Sequence, residues 1–77
     1  MSEKLPALKS KAVVKALLRA GFYINNQVGS HAQLRHTRKI HIRVTVPIHS
    51  DFDLPPSVIS SILRQAEITK AEFKELL

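Results

Sequence analysis

The chain has 77 residues, with twelve Lys and Arg against six Asp and Glu, a formal charge of +6, and no cysteine. That length supports one core and therefore one domain over residues 1–77. The composition excludes disulfides and thiolate metal sites and makes a reducing cytoplasm the default compartment. Hydrophobic residues make up 44% of the chain, which argues for a folded protein rather than a disordered one. Met1 to Pro6 hold no apolar run, and no segment approaches the roughly 20 apolar residues that cross a bilayer, so the expectation is an unexported protein without membrane contact.

Charge is unevenly spread. Residues 1–50 carry nine basic and one acidic side chain, whereas residues 51–77 carry three basic and five acidic ones. The first part has the electrostatic character of a polyanion-binding surface.

In chain order, Ser10 reads as an N-cap, followed by Val13, Val14, Leu17 and Leu18 at helical spacing and by Gly21 as the stop. Lys11, Lys15 and Arg19 recur every four residues along another side of this helix, where they form a basic ridge. From Phe22 to Val28 the period changes to two. Phe22, Ile24, Asn26 and Val28 are expected on the core face, and Tyr23, Asn25 and Gln27 on the other. Gly29-Ser30 is a turn. A second strand over 31–36 alternates Ala32 and Leu34 with His31, Gln33 and Arg35. The third, over 40–46, alternates Ile40, Ile42, Val44 and Val46 with His41, Arg43 and Thr45.

Both strands must place their apolar sets on one face, which requires an odd connection. Centred on Arg38, it sets Arg35 opposite His41, Gln33 opposite Arg43, and His31 opposite Thr45. Pro55-Pro56 then opens a helix running to about Ala66, with Val58, Ile59, Ile62, Leu63 and Ala66 as its apolar stripe. Thr69 with Glu72 forms a capping box, and Ile68 with Phe73 a hydrophobic staple, at the start of the last helix. The sum is an α+β fold of order α-β-β-β-α-α, a three-stranded antiparallel sheet with helices on one face.

The uncovered face would collect Tyr23, Asn25, Gln27, His31, Gln33, Arg35, His41, Arg43 and Thr45, with no acidic residue. Such a surface attracts phosphate and offers hydrogen bonds to ribose and base edges. RNA cleavage without a metal needs a base for the 2′-OH and an acid for the leaving oxygen, and histidine serves both near neutral pH. His31, just after the turn, is the candidate, with Arg35 and Arg43 to stabilise phosphorane charge. His36 falls on the inward side by parity, and His41 lies roughly 13 Å of strand rise from His31, too far to share one phosphate. His49 belongs to the loop after the third strand. A zinc site or other cofactor is not expected, because neither cysteine nor an HExxH spacing is present.

Several local runs occur in a familiar order. They are Ala20-Gly21-Phe22, Gly29-Ser30-His31, Leu34-Arg35-His36, Val44-Thr45-Val46-Pro47 with His49, and Ser61-Ile62-Leu63-Arg64-Gln65-Ala66. Over nearly the whole chain this resembles the HicA toxin family. The resemblance implies a double-stranded-RNA-binding-like fold and an mRNA interferase held inactive by a HicB antitoxin, with the catalytic histidine of the Gly-Ser-His element falling on His31. Where many members carry a second histidine directly after the first, this chain has Ala32. RNA contacts are expected from Lys11, Lys15, Ser30, Gln33, Arg35, Arg38, Lys39, His41 and Arg43. Two readings follow: an endoribonuclease acting through His31, or a non-catalytic RNA-binding module using the same face.

Overall fold

A computed structural model describes residues 5–77; the start of the chain, residues 1–4, lies outside the described residues. The elements are α1 (Ser10–Arg19), β1 (Phe22–Val28), β2 (His31–His36), β3 (Arg43–Pro47), α2 (Pro56–Ala66) and α3 (Lys70–Leu76). The strands form one antiparallel sheet in the order β1-β2-β3. This is the α+β arrangement that the hydrophobic periods predict.

The core lies between the sheet and the helices. Val13, Ala16 and Leu17 from α1, Ala32 and Leu34 from β2, and Val44 and Val46 from β3 are buried. They meet Ile59, Ile62, Leu63 and Ala66 of α2 and the fully buried Phe73 of α3. Leu18, expected on the α1 stripe, is 44% exposed, whereas the small Ala16 is fully buried. Leu8 and Leu54 exchange backbone hydrogen bonds at 3.2 and 2.7 Å, which ties the segment before α1 to the one before α2.

Both ends of α1 are set by tertiary contacts. Lys9, not Ser10, occupies the N-cap, and no side chain caps the helix. Ser10 is instead a buried first-turn residue whose hydroxyl accepts from the His49 N–H at 3.2 Å and donates to the His49 carbonyl at 3.3 Å. At the other end Gly21 has φ +100, and a Cβ there would stand 2.9 Å from His36 Nε2. Glycine is required by both backbone and space. The expected capping box at Thr69 and Glu72 is present. The hydrogen bond that the Thr69 backbone N–H donates to the Glu72 carboxylate is the main reason that this carboxyl is held below its usual range, with a further contribution from the Thr69 side chain.

Two details of the sheet differ from the alternation read in sequence. In β1 the register shifts between Ile24 and Asn26. A bulge inserts one unpaired residue and inverts the parity beyond it. Asn26 therefore pairs with the outward Gln33, Gln27 with the buried Ala32, and Val28 with His31. Gln27 turns to the helix side, while Asn26 and Val28 join the open face, the reverse of the expected assignment.

In the second hairpin the faces are kept but the pairing slides by two residues. Arg35 pairs with Arg43, Gln33 with Thr45, and His31 with Pro47. β3 thus begins at Arg43, and Ile40 and His41 fall in a turn closed by the Ile42 N–H to Lys39 carbonyl bond at 3.0 Å. His36 explains the longer turn. Its Nδ1 accepts from the backbone N–H groups of Arg38 and Lys39 at 3.0 and 3.1 Å, and its Nε2 faces the Ala20 carbonyl at 3.0 Å. Two donors aimed at Nδ1 place the ring proton on Nε2, where it is donated to Ala20.

Candidate functional site

The open face of the sheet is ordered in three rows across the strands. At one end stand Val28, His31 and Pro47, in the middle Asn26, Gln33 and Thr45, and at the far end Tyr23, Arg35 and Arg43. No strand contains an Asp or Glu. The face is therefore cationic without internal neutralisation, the electrostatic condition for attracting a phosphate chain.

His31 is exposed at the head of β2, next to the Gly29-Ser30 turn, in which Gly29 has φ +57. The turn is braced from behind, because the Ser30 carbonyl accepts the Ile48 N–H. Gln33 shares the face two residues along. Arg35 lies four residues along, roughly 13 Å of strand rise from His31. The observed register also carries Arg43 to that distant row. The structure thus separates His31 from the two arginines that were expected to stabilise charge at the same phosphate.

The far row has its own geometry. Arg35 and Arg43 are direct cross-strand neighbours, a like-charge pairing that disfavours the sheet unless an anion intervenes. Arg35 donates from a terminal nitrogen to the Ile40 carbonyl at 3.1 Å, and its Nε is shielded from solvent with no partner among the described residues. Asn25, Gln33, Arg35, Arg43 and Thr45 line a depression of about 370 Å³.

The remaining sequence-predicted residues are dispersed. Lys11 and Lys15 lie on the helix side of β1, where they flank an apolar depression lined by Val14, Ile24, Gln27 and Ile48. Arg38 and Lys39 sit in the turn fastened by His36. His41, expected on the open face, is in that turn instead, paired with Glu67 at 3.1 Å. Glu67 adopts the left-handed conformation that ends α2.

Strict alternation places Asn26, as an imperfect member, on the core face. Its signal was the Asn25-Asn26 pair, two residues poor in strand propensity at mid-strand, where a bulge is most easily accommodated.

The run Ser61 to Ala66 acquires a structural meaning. Ile62, Leu63 and Ala66 are core residues, while Gln65 accepts the free Thr45 N–H of edge strand β3 at 3.0 Å. Ser61 steadies the Gln65 amide at 3.4 Å. α2 thereby closes one edge of the sheet that carries the site. Among the described residues no cluster of three His, Asp or Glu side chains could hold a metal ion, and no helix is long and apolar enough to cross a membrane.

Fold and face together define a small α+β domain with an acid-free cationic sheet surface and a single histidine at its turn end. The family model for the HicA toxin of bacterial toxin–antitoxin systems matches residues 10–68, and the chain belongs to that family. Membership assigns it the toxin role and a cognate antitoxin. No curated protein matched the chain. α3 falls beyond the matched segment, yet it supplies Phe73 to the core, and its Leu76 carbonyl accepts from Arg19 at 2.6 Å.

Proposed function

We propose that the protein is a metal-independent endoribonuclease that cleaves messenger RNA with His31 as its catalytic acid or base. It works in the cytoplasm as a single domain restrained by a HicB-like antitoxin. The observation that carries this reading is the exposed imidazole at the turn end of an acid-free sheet in a member of the HicA family.

In the proposed reaction a base takes the 2′-OH proton, the 2′ oxygen attacks the adjacent phosphorus, and the 5′ oxygen leaves with a proton from an acid. One fragment then ends in a 2′,3′-cyclic phosphate and the other in a 5′-OH. Gln33 and Asn26 offer hydrogen bonds beside the reacting ribose. Arg35 and Arg43 hold the backbone further along the strand rather than the scissile phosphate, since roughly 13 Å separates the two rows. Ser30, Lys11, Lys15, Arg38 and Lys39 add peripheral contacts, and His41 contributes least because Glu67 already engages it.

The test is cleavage of a synthetic messenger RNA in the presence of EDTA. The wild-type chain should yield cyclic-phosphate ends. His31→Ala should lower the rate by roughly 10²–10⁴-fold, the usual weight of general acid–base catalysis, with RNA affinity and melting temperature retained. RNA binding without cleavage by the wild-type chain would favour the non-catalytic binding module instead.

A further inference from the structure

We propose that the rings of His49 and Phe52 form a stacking platform for an unpaired nucleobase of the RNA, beside the phosphate addressed by His31; this rests on the ribonuclease reading above. The two rings lie with centroids 4.5 Å apart and planes 23° from parallel. Of the three phenylalanines, Phe22 and Phe73 are buried in the core, whereas Phe52 is 53% exposed. Phe52 therefore offers ring surface to solvent, and a base with its own π-face can stack on it.

The platform is fixed to the catalytic end of the sheet through the backbone. Pro47 is the cross-strand partner of His31, Ile48 donates to the Ser30 carbonyl of the same turn, and His49 is clamped through both its N–H and its carbonyl by the Ser10 hydroxyl. Turn, loop and α1 start are therefore tied together by hydrogen bonds. A base on the platform would keep a fixed register with the imidazole at position 31.

The two acids that flank Phe52, Asp51 and Asp53, are matched by two nearby cations, so charge does not repel a nucleotide. The depression beside His49, about 270 Å³, is bordered by Lys9 and Lys11. Lys9 is engaged by Asp53 at 3.1 Å, which fixes one wall. Lys11 borders the same depression and is the cation offered to the phosphate of the stacked nucleotide. Sequence alternation could not reveal this site, because it links a loop to a helix start rather than residues of one strand.

The experiment uses the full chain carrying His31→Ala, so that RNA is bound but not cut. Its probes are an eight-nucleotide single-stranded RNA and the same RNA with one abasic nucleotide stepped along it. Phe52→Ala should weaken binding of the intact RNA about fivefold or more, the lower end for one base–aromatic stack, with the salt dependence unchanged. At one abasic position the two proteins should bind alike. The chain has no tryptophan, so Phe52→Trp installs a single indole whose emission the intact RNA should quench and the matching abasic RNA should not.

RNA binding by the parent that is indifferent to Phe52→Ala, with an unquenched indole in Phe52→Trp, overturns the platform alone. An absence of RNA binding by the parent overturns the ribonuclease reading and the platform with it. Equal melting temperatures of parent and Phe52→Ala exclude misfolding as the source of a loss.

Discussion

The two ends of the open sheet face are built on opposite principles. The turn end carries one titratable ring, His31, between Val28 and Pro47, and its surroundings are backbone hydrogen bonds that brace a turn. The far end carries Arg35 opposite Arg43, with Tyr23 beside them, and its geometry depends on a turn pinned by His36. Reactivity sits at one end and charge at the other, four residues apart along β2. A ligand that needs both must be a chain with repeated phosphates, because one small anion cannot reach across roughly 13 Å.

This division can be broken from the charged end first. The double change Arg35→Ala with Arg43→Ala should weaken RNA affinity about ten- to a hundredfold near 0.1 M salt, and the slope of log affinity against log salt should fall by about two. Turnover at saturating RNA should stay near wild type. A matching collapse of the saturated rate would mean that the arginines act at the scissile phosphate after all. His36→Ala removes the acceptor for two backbone N–H groups and the donor to Ala20, so it should cost about 2 kcal/mol in denaturant unfolding. Amide exchange should quicken over 37–42 while the Gly29-Ser30 turn keeps its protection.

Smaller effects sharpen the comparison. Gln65→Ala strips the partner from the Thr45 N–H on the middle row and should cost about 1 kcal/mol, measured from the urea midpoint. The least effect concerns Glu72, whose carboxyl is held low by its bonds from Thr69 and, to a lesser degree, by Lys39. A carboxyl with a lowered folded-state pKa stabilises the fold above its unfolded value of 4.5 and loses that contribution as pH falls through the folded value. Thermal stability should therefore decline on acidification below about pH 4.5 by less in Glu72→Gln than in the parent.

Periodicity alone was enough for much of the fold. Ala32 and Leu34 against His31, Gln33 and Arg35, the stripe of α2, and the Thr69 capping box all appear where their spacing puts them, since each depends on residues within a few positions of one another. The exposure of His31 was legible for the same reason. Strict alternation failed in β1, where a single bulge moves Asn26 and Val28 to the open face and Gln27 away from it. Parity also could not tell a hairpin centred on Arg38 from one displaced by two residues, because both keep Val44 and Val46 inside.

By itself the amino-acid sequence determined the element order, the core-facing sets of β2 and α2, the uneven charge and the family. These are local or additive properties of the chain. Only the tertiary structure decided that the arginines stand a phosphate or more away from His31, that His41 turns to Glu67, that Ser10 clamps His49, and that His49 stacks on Phe52. Each of those depends on where distant segments come to rest, and long-range packing, which no local period encodes, sets that.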